Sequence, residues 1–165
     1  MRKKPELSLR ARALQCLARR EYSRAELRDK LFPHVRAEED FEQALDSSWA
    51  AELDALLDDL TARGWLSDAR ATTQLVHVKR SRFGTQRITH ELRQKGIAEE
   101  LIDAALPALK ESELDAAREV WRRKFGVAPQ DAKEKARHMR FLQSRGFSMD
   151  AIIKVLRSAG VAVDE

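Results

Sequence analysis

The chain has 165 residues and a net charge of +4, with 35% charged and only 6% aromatic residues. This balance excludes a long β-sheet, which would draw on more Val, Ile, Thr and aromatic residues, and points to a helical protein rich in solvated surface. No apolar run approaches the ~20 residues of a membrane span. The basic start MRKKPELSLRARALQCLARR lacks the apolar region of a secretory signal, and the lone Cys16, with no partner for an internal disulfide, suits a reducing cytoplasm.

Helices are expected over residues 8–20, 23–32, 49–63, 67–81, 84–95, 98–109, 112–125, 130–145 and 148–159. Ser8 is a candidate N-cap for the first. In EYSRAEL, Ser23 can accept from an orphan backbone N–H while Glu26 reaches back to the Ser23 N–H, a capping box, and Tyr22 and Leu27 can pack across it as a hydrophobic staple. This helix is expected to end near Pro33. Residues 36–48 form an acidic insertion, either loop or a further short helix. Leu53, Leu56, Leu57 and Leu60 then recur at helical spacing. Ser67 and Ser112 are further N-caps, Gly64 and Gly126 further stops, and Pro107 is expected to distort the end of its helix.

The stapled helix start recurs. Phe83, Gly84 and Ile88 in VKRSRFGTQRITHEL, and Phe147, Ser148 and Ile152 in LQSRGFSMDAIIKVL, repeat the aromatic, cap and apolar pattern of Tyr22, Ser23 and Leu27. Gly96-Ile97 and Gly160-Val161 match as helix stops. Only the first copy holds a full box, because Arg87 and Ala151 stand where Glu26 does. Repeats at this spacing imply stacked supersecondary units that bury their apolar faces together. The expected architecture is all-α, an elongated tandem array of three three-helix units over residues 1–66, 67–110 and 111–165.

Charge alternates with the same period. Residues 1–36 carry +7, 37–69 carry −9, 70–96 carry +6, 97–119 carry −5 and 120–165 carry +5. Stacked in register, such units present a basic stripe suited to a polyanion or an acidic protein surface. Chemistry is absent by comparison. There is no P-loop motif, and HELRQ at His90 lacks the second histidine of a zinc-binding HExxH. His34, His77, His90 and His138 are scattered, with His77 and His138 expected on partly exposed faces, and Cys16 reads as a small core residue. The pattern is that of a binding protein with no cofactor or metal rather than an enzyme.

The segments LARREYSRAEL, RGWLSDAR, FGTQRITHELRQKGI and KARHMRFLQSRGFSMDAII, in this order along nearly the whole chain, resemble the RecX family, regulators of the recombinase RecA. The resemblance implies a curved, elongated, all-α array that binds the RecA–DNA filament and restrains RecA's ATPase, recombinase and SOS co-protease activities without covalent chemistry. It also implies a cytoplasmic protein, here expected to be a monomer. It transfers no short site motif, so contact residues are nominated from charge and position: Lys79, Arg80, Arg82, Arg87, Arg93 and Lys95, then Arg122, Arg123, Lys124, Arg137, Arg140 and Arg145. Arg145, aligned with Arg20 in the repeat, is the one most suited to a structural role. The rival reading is direct binding of single- or double-stranded DNA by the basic blocks, with Trp121 as the aromatic platform left free. A helix-turn-helix repressor fits three unequal units poorly.

Overall fold

The computed structural model describes residues 6–37 and 48–160. The central part of the acidic insertion, residues 38–47, and the Val161 end of the last stop lie outside them. Among the described residues there are eight helices and no strand: α1 (Leu9–Leu17), α2 (Arg24–Ala37), α3 (Ser48–Ala62), α4 (Asp68–Lys79), α5 (Thr85–Gln94), α6 (Glu99–Lys124), α7 (Ala132–Ser144) and α8 (Met149–Ser158). The chain divides into two compact units, residues 1–71 with 95–97, and residues 72–94 with 98–165.

The first unit is organised around the start of α2. Ser23 and Glu26 form the reciprocal capping box: the Glu26 N–H donates to the Ser23 hydroxyl and the Ser23 N–H to the Glu26 carboxylate, both at 3.1 Å. The Arg24 N–H is taken by Asp68 Oδ1 at 2.7 Å, so a second carboxylate satisfies another orphan donor of the same helix end. Tyr22 and Leu27 are both buried in a core they share with Leu31, Leu53, Leu57 and Leu60. Pro33 does not end α2, which continues to Ala37 with Pro33 inside it. The ring nitrogen forfeits one helical hydrogen bond there, while Val35, one turn beyond Leu31, is buried in the same core.

The second unit departs from expectation at α6. The two helices expected over 98–109 and 112–125 are one continuous 26-residue helix with Pro107 inside it. Ser112 is no N-cap; its hydroxyl bonds back to the carbonyls of Ala108 and Leu109 at 3.1 and 3.3 Å, as serines inside helices do. The reason for continuity lies in burial. Ile102, Leu109, Glu113 and Ala116 are buried at helical spacing, so a single stripe spans the site of the expected break.

Glu113 also completes the two helix N-termini whose boxes lack a glutamate. One of its oxygens accepts from the backbone N–H of Thr85, at the start of α5, and from that of Ser148, at the start of α8, each at 3.1 Å. The other accepts from the Ser148 hydroxyl at 2.9 Å, and that hydroxyl in turn accepts from the Ala151 N–H. The α7–α8 turn is drawn against α5 as well: the N–H groups of Gly84 and Gln86 donate to the carbonyls of Arg145 and Gly146 at 2.8 and 3.2 Å. A Cβ on Gly84 would stand 2.2 Å from the Gly146 oxygen, so only glycine permits this approach. Phe147, Ile152, Val155 and Leu156 close the core with Ala116, Ala117 and Leu142.

If Glu113 holds both helix starts, Glu113→Ala leaves two backbone donors and a hydroxyl without their acceptor. It is expected to lower unfolding stability by about 3 kcal/mol, since hydrogen bonds to charged groups are each worth more than neutral ones. Ser148→Ala, which removes one cap, is expected to cost about 1 kcal/mol. Urea unfolding followed by circular dichroism measures both; equal losses would contradict the shared role of the carboxylate.

Candidate basic cleft

Within the second unit, Ser81 and Arg82, the C-terminal turns of α6, and α7 surround an open cleft of about 410 Å³. Its charged walls are Arg82, Arg123, Lys124 and Arg145, with Glu119 the one carboxylate and Phe141 the aromatic surface. The local sequence accounts for the geometry. Arg122, Arg123 and Lys124 occupy the last turn of α6, where cations complement the negative end of the helix dipole. Phe141 and Arg145, four residues apart, project from the same face at the end of α7.

Glu119 is shared. Arg122 reaches it at 2.9 and 3.0 Å and Arg123 at 2.7 Å. The hydrogen bonds from Arg122 and then Arg123 hold this carboxyl well below its ordinary 4.5, at about 2. The carboxylate therefore stays ionised at any physiological pH, and the local balance stays positive. The Phe141 ring has the Lys124 ammonium 5.7 Å and the Arg145 guanidinium 5.3 Å from its centroid. Arg145 also lies 5.3 Å from the Phe83 ring, so it bridges two aromatic faces.

The remaining nominated residues divide by what holds them. Arg87 donates to the Ser144 carbonyl at 3.1 Å and covers Phe83. Lys79 pairs with Glu91 at 3.5 Å, and Arg93 with Glu99 at 2.6 Å. Arg137 faces Phe125. Neither Arg80 nor Arg140 lines the cleft. Lys95 belongs to the first unit, where it pairs with Glu26. Burial alone would raise the Glu26 carboxyl, but Arg20, Lys95 and the Ser23 N–H outweigh it and hold the group below its ordinary value. Lys95 is thus part of the α2 joint and not of the cleft. Sequence reasoning missed Phe141 and Glu119. Their spacing to Arg145 and Arg123, i to i+4 in both cases, was the available signal.

Two expectations about nearby residues are overturned. His138 is buried at 3% exposure, not on a partly exposed face. It stacks on Phe125 with centroids 3.7 Å apart, and its Nδ1 accepts from the Trp121 indole N–H at 3.2 Å. Trp121 is therefore no free platform; it packs against the unit's core.

Residues 67–106 match the family model for the second three-helix domain of RecX, and residues 111–156 match that for the third. A protein of Leptothrix cholodnii named regulatory protein RecX is 50% identical over 94% of this chain and 92% of its own. One of Chromobacterium violaceum, named likewise, is 44% identical over 96% of this chain and 93% of its own. The crystal structure of RecX from Lactobacillus salivarius superposes with a TM-score of 0.67 at 17% identity, covering 93% of this chain and 96% of the other, and so shares the fold.

Burial, then the neighbouring Arg137, pushes the His138 imidazole below its ordinary 6.5. The folded state prefers the neutral ring, so the unfolded state binds the proton first as pH falls. Stability is then fully present above pH 6.5 and falls as pH drops below that value through the folded-state pKa. His138→Gln is expected to flatten this part of the stability profile, measured by urea unfolding between pH 5 and 7. An unchanged slope would show that another group titrates there.

Proposed function

Because the chain belongs to the RecX family, we propose that it is a regulatory protein that binds the RecA–DNA filament and restrains RecA's ATPase, recombinase and SOS co-protease activities. The observation that supports this reading is the cleft at the end of α6. Four cations line it and a fifth, Arg122, stands beside it, against the single carboxylate of Glu119. That excess suits an acidic protein surface or the phosphates of filament-bound DNA. Relatives across most of the chain's length carry the name of regulatory proteins, and no described helix is long and apolar enough to cross a membrane.

The mechanism is differential affinity. A ligand shifts an equilibrium only as far as it binds one state better than another, so restraint follows if the chain favours a filament state with slow hydrolysis. Contacts from more than one of the three proposed three-helix domains reinforce each other by raising the effective concentration of the next. Arg123 lies in a solvent-screened pair and Lys124 over an aromatic ring, both weak interactions. They are therefore free to be redirected to a partner at little cost to the fold.

Charge reversal at Arg122, Arg123 and Lys124 together is expected to weaken co-sedimentation with RecA–DNA filaments at least tenfold, with the helical circular dichroism preserved. Wild-type binding by the folded triple variant would remove this cleft from the interface.

A further inference from the structure

The first unit holds a second electropositive cavity that the nominated residues leave out. Arg12 lies on α1 and Arg19 in the turn that follows it; Lys30 and His34 lie four apart on α2. All four line a cavity of about 170 Å³ with Tyr22 at its wall, and no carboxylate lines it. The other arginines and lysines of this unit behave differently. Arg10 and Arg63 reach Asp59, Arg24 reaches Asp58, Arg28 reaches Asp54, and Arg70 reaches Glu21. Arg20 and Lys95 share Glu26. Among the side chains described, the cations of this unit with no carboxylate partner are Arg12, Arg19 and Lys30, and they converge on this one cavity. The Arg12 Nε donates to the Leu7 carbonyl at 3.1 Å, which fixes the guanidinium while its terminal nitrogens remain for a ligand.

We infer that this cavity is a phosphate-binding site, formed by Arg12, Arg19 and Lys30 with His34 at its edge. The planar guanidinium fork matches the tetrahedral phosphate better than a point charge does. The volume is below the ~300 Å³ at which pockets begin to enclose whole small molecules, so it takes the charged group and leaves the rest of the ligand outside. Phosphate in this form comes either from a nucleic-acid backbone or from free phosphate.

The test uses the full chain without RecA, so its outcome is independent of the filament reading. Binding of a fluorescein-labelled oligodeoxythymidylate is followed by anisotropy across a salt series, for wild type and for Arg19→Gln/Lys30→Gln, both exposed positions. A backbone phosphate in the cavity predicts that the variant loses affinity roughly three- to tenfold and that its log–log salt slope is shallower by about 0.7. In parallel, inorganic phosphate is titrated while the His34 ring resonances are followed by NMR. A saturable shift in wild type that the variant loses, with an unchanged oligonucleotide slope, assigns the site to free phosphate. Unchanged slope and no saturable shift overturn the proposal.

Discussion

The second unit depends on one buried carboxylate. Glu113 sits in the middle of α6 and accepts from the starts of both α5 and α8. A charge at 8% exposure is costly unless its lone pairs are filled, and here three donors fill them. Two of these donors are backbone groups that helix geometry leaves orphaned. The need of the carboxylate for donors and of the helix ends for acceptors thus cancel in one place. The close approach of Gly84 to Gly146 follows from the same joint, and the joint brings the end of α7, with Phe141 and Arg145, to the residues that follow α4.

The charges that hold the fold and those proposed to bind a partner are different ones. Buried or half-buried carboxylates, Glu26, Asp68 and Glu113, are spent on helix N-termini. The cations around the cleft and around the first unit's cavity are held loosely or not at all. An exposed ion pair contributes about 1 kcal/mol at most, whereas a joint such as that of Glu113 is expected to contribute several times as much. The modest net charge of +4 therefore understates how much positive charge is available to a partner.

Features encoded locally were legible in the sequence. The Ser23–Glu26 box, the Ser8, Ser67 and Ser148 caps, and the stops at Gly96 and Gly160, with φ of +70° and +86°, all stand where spacing put them. Features set by distant partners were not. Ser112 and Pro107 read as a break because local rules favour one; the buried stripe from Ile102 to Ala116 overrides them. Nothing near Gly84 or Ser148 in sequence announces that Glu113, 29 and 35 residues away, caps their helices. His138 read as exposed because its partners, Trp121 and Phe125, lie on another helix and its terminal turn. Charge blocks located the basic residues but could not say that Arg82, Arg123, Lys124 and Arg145 share a cleft while Lys95 serves another joint.

The proposed role requires the chain to act on the filament rather than on free DNA or free RecA. The most direct measurement is single-stranded-DNA-dependent ATP hydrolysis by the cognate RecA, with this protein titrated well below the RecA concentration. Inhibition at substoichiometric levels that persists when excess bare DNA is supplied is the expected result. Inhibition that appears only near stoichiometry, or that excess DNA relieves, would contradict it.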